Sequence, residues 1–585
     1  MSFSKPNASA ATRTKNRTPN DRTQASGMCS VCVDECPGYC EIGKSAFRAS
    51  ENLYPQPFGT ITAGADKEYP VDFSHLNVMG SAVGAVGIEA DSDKAIFENV
   101  NIETRLGRDK GIKLKLPIVT PGLGSTRVAK THWDGLAIGS AISGTALTIG
   151  ENVGGMDPNS QIENGKITYC PDIEYRVKTF QEWQSDGYGL IVMQENVEDS
   201  RLGVLEYGIN KLGVQAVELK WGQGAKDIGG EVKIDNLDKA RMLRDRGYIV
   251  LPDPYDGNVS TLFGKAFKEF ERHSRIGMVN EEGFVKRVEE LRKAGAKYVF
   301  LKTGAYRPAD LARAVRYCSV AGVDVLTVDG SGGGTGMSPW HMMNEWGVPT
   351  LYIAALTYNY VHKLASRGQY VPDIILAGGF AFEDDIFKAI ALGAPYVKAV
   401  GMARSPLCAA HVGKLIGEQL KNNNIDKTIE PYGKTMDEIF VLAAKAKRLF
   451  GSNGKEVPPG AIGVYSYYQR LSQGLRQLMC GSRKFALEYM TRNDITALTK
   501  EAAEVTGIKY IMDMDMEETE QILTGRAKTI SKTAKAVVKQ KAKPKINVAN
   551  IIQVIRAANK KAFTKVKKKA KAKVSPPKPK AKKKK

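Results

Sequence analysis

The sequence has no uninterrupted apolar stretch of about 18 residues, and this absence excludes a transmembrane helix. Residues 1–21 contain no apolar core, which argues against a secretory signal. Nowhere do glycines have the G-x-G-x-x-G spacing of a dinucleotide fingerprint. We therefore predict a cytoplasmic protein, in which disulfides are rare and clustered cysteines indicate metal ligands.

Acidic residues are missing from the C-terminal segment. Residues 526–585 contain 23 Lys plus Arg and no Asp or Glu, whereas the whole chain has a formal net charge of +21. Subtracting the segment's +23 leaves about −2 for residues 1–525. The body of the protein is thus nearly neutral, which argues against a basic DNA-reading domain. The composition of the whole chain, with 42% hydrophobic and 25% charged residues, is ordinary for a globular protein.

Four cysteines lie close together in a C-x2-C-x3-C-x3-C pattern: Cys29, Cys32, Cys36 and Cys40. Thiols at such short spacing suit an iron–sulfur cluster or a tetrahedral metal. The pattern differs by one residue from the bacterial ferredoxin run C-x2-C-x2-C-x3-C-P, so a 4Fe–4S cluster is favoured, and a structural zinc site or free thiols are the alternatives. The other four cysteines are scattered, as is typical of buried residues.

From about residue 110 onward, short apolar runs alternate with helical patterns. Eight such runs, separated by helices, predict a (β/α)8 barrel of α/β class, with a doubly wound sheet as the alternative. The predicted strands are 116–120, 146–150, 189–194, 216–221, 298–303, 323–329, 373–379 and 396–401.

Ligand sites of such barrels lie at the C-terminal ends of the strands. Glycines there let a backbone approach a phosphate, and lysines favour anions, including a dicarboxylate at the loop after the fourth strand. The candidate binding residues at these ends are Thr120, Pro121, Gly122, Lys220, Gln223, Lys226, Lys302, Asp329, Gly378, Gly379, Gly401 and Met402.

A glycine-rich loop follows the sixth predicted strand. Five of the seven residues 330–336 are glycines, and Asp329 precedes them. Successive glycines turn backbone N–H groups toward an anion, although a flexible loop is the alternative. The residues proposed to contact a ligand are Gly330, Gly332, Gly333, Gly334, Thr335 and Gly336.

These motifs together resemble the FMN-binding synthase domain of glutamate synthase, in particular the archaeal-type large-subunit-like proteins that lack a glutaminase domain. The similarity covers about residues 80–430. It is carried by Q-G-A-K at 223–226 with G-G at 229–230, F-L-K at 300–302, G-S-G-G-G-T-G-M-S-P at 330–339, A-G-G at 377–379 and G-M-A at 401–403.

The resemblance implies an FMN barrel that reduces 2-iminoglutarate, formed from 2-oxoglutarate and ammonia, to L-glutamate. Lys302 and the loop 330–336 would contact the flavin, and Gly378, Gly379, Gly401 and Met402 would hold its phosphate. Gln223, Lys226 and Lys302 would be the catalytic residues. The further flavin contacts implied are Thr120, Pro121, Gly122, Lys220 and Asp329.

Departures from the family pattern are equally informative. The family's 3Fe–4S cluster uses C-x5-C-x4-C after the eighth strand, whereas this chain has Cys408, Lys414 and Gln419. That cluster is expected to be lost, with the cysteines at 29–40 serving as the electron inlet. Neither the glutaminase domain nor the C-terminal β-helical domain is expected, so ammonia would come from solution or from a glutaminase partner subunit.

We predict five segments: a disordered N-terminus (1–27), a ferredoxin-like cysteine segment with lead-in (28–109), the barrel (110–435), a helical extension (436–525) and a basic helix with a disordered Lys-rich tail (526–585). The tail is suited to an acidic partner or an anionic surface, with simple solubility as an alternative. Specific nucleic-acid recognition is not expected, since the tail has one aromatic residue, Phe563.

The resulting expectation is an FMN- and iron–sulfur-dependent oxidoreductase that receives electrons from a ferredoxin or an NAD(P)H-dehydrogenase partner subunit and forms an oligomer. One alternative is a related flavin enzyme acting on another amine and keto-acid pair, such as an N-methylglutamate synthase. The other is an electron-transfer subunit of a larger complex.

Overall fold

A closed barrel of eight parallel strands forms the centre of the molecule. The computed structural model describes residues 41–48, 69–125, 127–222, 224, 231–265, 267, 269–331, 346–451 and 455–525. In chain order the barrel strands are β1 (Ile118–Leu123), β2 (Ala146–Ile149), β3 (Leu190–Glu195), β4 (Ala216–Lys220), β5 (Tyr298–Thr303), β6 (Val325–Asp329), β7 (Asp373–Ala377) and β8 (Val397–Gly401). Each strand pairs with the next, and β8 pairs with β1.

The predicted barrel is therefore confirmed, and all eight predicted strands are present. Their Val-, Ile- and Leu-rich runs are almost wholly buried, as expected for strands covered on both faces. β1 begins two residues later than predicted and runs on to Leu123, because its pairing with β8 starts at Ile118.

One helix accompanies each strand. In chain order these helices are α1 (Trp133–Ser143), α2 (Pro171–Gln181), α3 (Val204–Leu212), α4 (Glu281–Ala294), α5 (Pro308–Ala321), α6 (Thr350–Ala365), α7 (Glu383–Gly393) and α8 (Arg404–Lys421). Several begin at side chains that accept N-terminal backbone N–H groups, such as Asn280 before α4.

The bottom of the barrel is filled with apolar side chains. A hairpin of Thr104–Leu106 and Ile112–Leu114 packs Leu106, Ile112 and Leu114 against the inward residues of the strands, and this hairpin straddles the predicted boundary at residue 110. The inward residues of this layer are Val119, Ala146, Val192, Ala216, Phe300, Val325, Ile375 and Ala399. Ligands are thus excluded from this end, and the opposite, C-terminal end is left for a site.

An insertion between β4 and α4 has its own small core. Its three strands, Glu231–Ile234, Ile249–Leu251 and Phe270–His273, form an antiparallel sheet with the last strand in the middle. Helices Leu237–Asp245 and Gly257–Leu262 accompany it. The sequence did not predict this sheet, because its strands are short and carry charged residues.

A ninth helix of the ring, α9 (Pro459–Gly481), lies between α8 and α1 and contacts both. Small residues permit this close approach. A Cβ added at Gly463 would lie 2.3 Å from the carbonyl oxygen of Ala409 on α8, and one at Gly135 on α1 would lie 3.0 Å from the backbone of Gly460. The predicted helical extension thus supplies a helix to the barrel's outer layer.

The helix Glu41–Arg48 packs against α8 and α9. Ile42, Ala46 and Phe47 are buried, and the Phe47 ring lies 5.3 Å from that of Tyr432. The chain segment directly after Cys40 is therefore anchored to the barrel's helical layer.

The remaining elements are short. The strand Leu76–Val78 pairs with Ile495–Ala497, and Gln161–Glu163 forms a hairpin with Lys166–Tyr169. The other helices are Phe73–His75, Phe97–Asn99, Arg127–Thr131, Val153–Met156, Val197–Leu202, Glu430–Tyr432, Met436–Ile439, Ala443–Phe450, Leu487–Tyr489, Arg492–Asp494, Lys500–Thr506 and Ile511–Asp513.

A second compact unit begins at Asp515, and its described part contains the helix Met516–Leu523. In the parts of the chain that the structure describes, no helix is long and apolar enough to cross a membrane.

Candidate active site at the barrel mouth

Two residues beyond the apolar layer, toward the C-terminal end of each strand, lies the next inward-facing residue. The size and polarity of this residue differ around the barrel. Side chains two residues apart on a strand share a face, so these positions follow directly from the layer below. β2 to β6 contribute polar residues, and β7, β8 and β1 contribute small ones. In strand order from β1 the buried residues are Pro121, Thr148, Gln194, Glu218, Lys302, Thr327, Ala377 and Gly401. The mouth therefore has a polar half and a half with little side-chain volume.

Glu218 lies at the centre of the polar half. Its Oε1 accepts a hydrogen bond from Gln194 Nε2 (2.5 Å), and its Oε2 accepts one from Thr327 Oγ1 (3.3 Å). Burial raises the pKa of this carboxyl, although Lys302 and the two hydrogen bonds oppose the shift. Burial thus favours the protonated form of this carboxyl relative to an exposed glutamate.

Lys302, one of the predicted catalytic residues, forms an ion pair with Asp329 (Nζ to Oδ2, 3.1 Å). Both are buried. Burial acts to lower the pKa of Lys302, but Asp329, Glu218 and Glu151 together raise it above its ordinary value. The ammonium group therefore stays charged inside the barrel.

Lys220 at the end of β4 pairs with Glu151, which follows β2 (Nζ to Oε1, 2.6 Å). Burial alone would raise the pKa of Glu151, but Lys220 and, more weakly, Lys302 bring it below the ordinary value. Two lysines and three carboxylates thus share this part of the mouth. The two described lysines are each neutralised by a carboxylate.

The side-chain oxygen of Gln194, Oε1, is buried and has no hydrogen-bond partner among the described residues. A Cβ added at Gly122 would lie 2.6 Å from this oxygen, so glycine at 122 keeps the carboxamide accessible from β1. A buried acceptor without a donor suits the N–H group of a ligand.

The loops after β4 and β6, both predicted to face the ligand, meet at glycines. A Cβ at Gly224 would lie 2.0 Å from the carbonyl oxygen of Gly330. Gly330 donates its N–H to the Ala377 carbonyl at the end of β7 (2.8 Å). The predicted residues Gln223 and Lys226, and Gly332 to Gly336, lie outside the described residues.

Thr350, at the start of α6, links the segments that follow β6 and β7 through its hydroxyl group. Its Oγ1 lies 2.9 Å from the Ser331 carbonyl oxygen and 2.7 Å from that of Gly378. Gly378 and Gly379 have φ values of 130° and 100°, which favour glycine. This turn directly after β7 is where a phosphate was predicted.

The other predicted flavin contacts are placed as follows. Gly401 packs tightly, since a Cβ there would lie 2.7 Å from that of Ala377 and 3.0 Å from Pro121. Met402 is buried and donates its N–H to the Val119 carbonyl (3.0 Å). Thr120 has its hydroxyl 3.2 Å from that of Tyr468 on α9, so its side chain is directed away from the barrel interior.

Sequence reasoning missed Gln194, Glu218 and Glu151 as site residues. A signal was present, because Gln194 and Glu218 are polar residues within the mainly apolar strands β3 and β4. Without the register, the face of each residue was unknown.

In residues 41–525, apart from the undescribed gaps, no group of three or more His, Cys, Asp or Glu side chains is arranged to hold a metal. Cys170, Cys318 and Cys408 are buried and Cys480 is half-buried. The predicted ligands Cys29, Cys32, Cys36 and Cys40 lie outside the described residues.

Comparison with known proteins identifies the relatives of this barrel. Residues 272–413, from the end of the insertion into α8, match the family described as "Conserved region in glutamate synthase". This part of the barrel is thus similar to the conserved region of the glutamate synthase family. The predicted recognition is thereby confirmed.

Individual relatives are distant. A "Glutamate synthase large subunit-like protein" of Rhizobium meliloti is 27% identical over 345 residues, which are 58% of this chain and 65% of that protein. A similarly named protein of Bacillus subtilis, YerD, is 28% identical over 204 residues, 33% of this chain and 35% of that protein. An "Archaeal-type glutamate synthase [NADPH]" of Dehalococcoides mccartyi is 23% identical over 427 residues, 67% of this chain and 74% of that one.

The chain thus spans less than two thirds of the first two of these glutamate synthase relatives. Among solved structures, a flavocytochrome b2 mutant with sulfite bound is 13% identical, with a TM-score of 0.42 over 77% of this chain and 81% of that one.

Proposed function

We propose that this barrel is an FMN-dependent oxidoreductase that reduces 2-iminoglutarate, formed from 2-oxoglutarate and ammonia, to L-glutamate. The observation that carries the proposal is the divided mouth: a buried network around Lys302 and Glu218 faces a half lined by Pro121, Ala377 and Gly401. The names of the family and of its relatives support the substrate assignment.

The residues present fit a flavin. The small half leaves room for a flat ring system, and the orphaned Oε1 of Gln194 can accept a hydrogen bond from a ring N–H. Gly378 and Gly379 would hold the phosphate with Gly401 and Met402 beside them, and the loop 330–336 would form a wall. When bound, FMN supplies the hydride.

The chain's own residues would then bind and orient the substrate. Lys302 keeps its charge and would attract a carboxylate, together with Gln223 and Lys226 in the loop after β4. Glu218, with its raised pKa, would hold a proton near the bound imine nitrogen. Lys220, held by its ion pair with Glu151, would orient the opposite end of the substrate.

Electrons would reach the barrel from a partner protein, a ferredoxin or an NAD(P)H-dehydrogenase subunit. Cys29, Cys32, Cys36 and Cys40 supply four thiolates, the donor set of a 4Fe–4S cluster. They precede the helix Glu41–Arg48, which is anchored on α8 and α9. Ammonia would come from solution or from a glutaminase partner subunit.

The test is anaerobic purification of the full chain, followed by visible spectroscopy and product analysis. We expect a flavin spectrum and glutamate formation from 2-oxoglutarate and ammonia with a chemical reductant. Cys29→Ser with Cys36→Ser should remove a cluster absorbance and keep the flavin, and Cys170→Ser should change neither spectrum. A colourless, zinc-containing protein would refute both cofactor assignments, and product formed with methylamine alone would reassign the substrate.

A further inference from the structure

A cleft of about 830 Å³ opens on the outer side of the barrel, between the hairpin Gln161–Tyr169, the helix Val197–Leu202 and the inserted helix Leu237–Asp245. Tyr248 contributes to its lining but is almost wholly buried. Arg246 is fixed beside it by the carbonyl oxygens of Gly155 (2.8 Å) and Asp157 (2.6 Å). The cleft therefore brings solvent close to the buried Tyr248 side chain.

Beneath the cleft, three buried side chains have polar atoms without a partner. These atoms are Asp199 Oδ1, Tyr248 Oη and Arg272 Nε, and they find no hydrogen bond among the described residues. The guanidinium of Arg272 lies 5.2 Å from the centre of the Tyr248 ring. Buried polar groups are normally hydrogen-bonded, so three unpaired atoms here are suited to binding ordered water.

Asp199 joins this cluster to the barrel mouth. Its Oδ2 accepts hydrogen bonds from the backbone N–H of Asn152 (2.8 Å) and of Asn196 (3.4 Å). Asn152 directly follows Glu151, whose carboxylate pairs with Lys220. The Oδ2 atom of Asp199 thus fixes the loop that carries Glu151. Its Oδ1 atom has no hydrogen-bond partner among the described residues.

The surroundings of Asp199 set its protonation. Glu195 is held by Arg287 (3.0 Å) and Glu198 by Arg275 (2.9 Å), so these carboxylates are neutralised. The other charged or titratable groups that act on the cluster are Glu151, Arg246, Tyr248 and Arg272. Burial raises the pKa of Asp199 to about 7; Glu151 and Glu195 add to this shift, and the backbone N–H groups of Asn152 and Asn196 oppose it.

We propose that Tyr248, Asp199 and Arg272 hold ordered water and conduct protons from the cleft to the Glu151–Lys220 pair at the barrel mouth. This inference rests on the proposed function. That reaction converts 2-oxoglutarate, an ammonium ion, two electrons and two protons into L-glutamate and water. A C=O bond is broken, C–N and C–H bonds form, the partner protein supplies the electrons, and the buried site must receive its protons from solvent.

Asp199→Asn in the holoenzyme is the direct test, because it keeps the side-chain shape and removes the exchangeable proton. We expect kcat with 2-oxoglutarate and ammonia to fall about 100-fold, with KM unchanged. We expect wild-type activity to fall as pH rises through about 7, and this fall should be absent in the variant. Added imidazole, whose cation is a small acid, should restore part of the rate, which it would not do for a misfolded site.

Asp385→Asn is a matched control. Asp385 is also buried, accepts two backbone N–H groups (Ala381 at 2.9 Å and Phe382 at 3.2 Å) and has an unpartnered Oδ1, but it lies at the start of α7 away from the cleft. The Asp385→Asn variant should keep the wild-type pH profile. Tyr248→Phe replaces Asp199→Asn as the test variant if Asp199→Asn does not fold. Tyr248→Phe should also lower kcat at least tenfold, and imidazole should restore part of that rate. Equal losses in Asp199→Asn and Asp385→Asn would overturn the proton path.

A second measurement separates the proton path from the proposed reaction. Infrared difference spectra of wild type minus Asp199→Asn report the protonated carboxyl of Asp199 whether or not glutamate is made. Titration of that band near pH 7 with rapid hydrogen–deuterium exchange supports the path. If glutamate is absent but the band titrates, the proposed function fails and the water-filled cluster stands. A band that neither titrates between pH 5 and 9 nor exchanges overturns the path.

Discussion

At the scale of single residues, the site is defined by charges that balance one another inside the barrel. Lys302 is buried against Asp329, and Glu218 and Glu151 also act on it. Removing one partner of a buried ion pair leaves the other uncompensated, which costs more than the pair contributes as a whole. The lysine is therefore as much a structural requirement as a binding group.

Replacing Lys302 by Gln should lower the free energy of unfolding by about 3–5 kcal/mol at pH 8. Without the ammonium group, which opposes the shift, the already raised pKa of Glu218 should rise further. Carboxyls with raised pKa contribute their full stability below the unfolded pKa and lose it as pH increases, so the deficit should shrink at pH 5.

Urea unfolding at the two pH values measures the Lys302 effect. The double variant Lys302→Gln/Asp329→Asn should recover part of the lost stability, since it also removes the uncompensated carboxylate. A deficit that is the same at both pH values, with no recovery in the double variant, would contradict this account.

Asp199 gives a second pH-dependent prediction. Its pKa is raised from 3.8 to about 7 by burial, so its contribution to stability is full below pH 4 and declines as pH rises to 7. Relative to wild type, Asp199→Asn should therefore gain stability between pH 4 and 7, by at most about 4 kcal/mol, and should level off above pH 7. Chemical denaturation across this range checks the trend, and a constant difference would refute it.

At the scale of elements, the sequence predicted what depends on local pattern. Eight apolar runs identified the strands, and the described glycines and lysines that were singled out lie at the C-terminal ends of those strands. The polar pair Gln194 and Glu218 was missed, because which of two faces is inward depends on register. The inserted sheet 231–273 was missed, because strands such as Phe270–His273 (FERH) are stabilised by tertiary packing of Phe270 and Arg272, both fully buried.

The position of α9 gives a test of close helix packing. Gly463→Ala would bring a Cβ to 2.3 Å from the Ala409 carbonyl oxygen, so α8 and α9 must separate. We expect a loss of about 1–3 kcal/mol. The same substitution at Gly481, where no atom lies within 4 Å of the added Cβ, should be neutral or slightly stabilising. Thermal unfolding compares the two, and equal effects would argue against the packing.

At the scale of the whole molecule, charge is segregated along the chain. Many Lys and Arg side chains in the described body form ion pairs with Asp or Glu. Residues 526–585, in contrast, carry 23 Lys plus Arg and no acidic residue. Binding by such a segment depends on salt, because it acts through charge rather than shape. The catalytic barrel and the basic tail should therefore be separable in function.

A chain ending at Gly525 should keep the flavin and the melting temperature of the full-length protein, and should no longer bind a cation exchanger or anionic vesicles at pH 7. Flavin absorbance, thermal unfolding and vesicle sedimentation at low and high salt measure these properties. Loss of flavin on truncation would contradict the proposed independence of the tail.

The placement of α9 between α8 and α1 has a consequence for biosynthesis. A chain emerging from the ribosome can pair all eight strands before residues 459–481 have been made. Until then the facing sides of α1 and α8, including buried Ala409 and Ala410, lack their cover. The last stage of folding must therefore wait until residues 459–481 have been translated. Slower translation after residue 421 would prolong the time during which chaperones can bind the exposed apolar surfaces of α1 and α8.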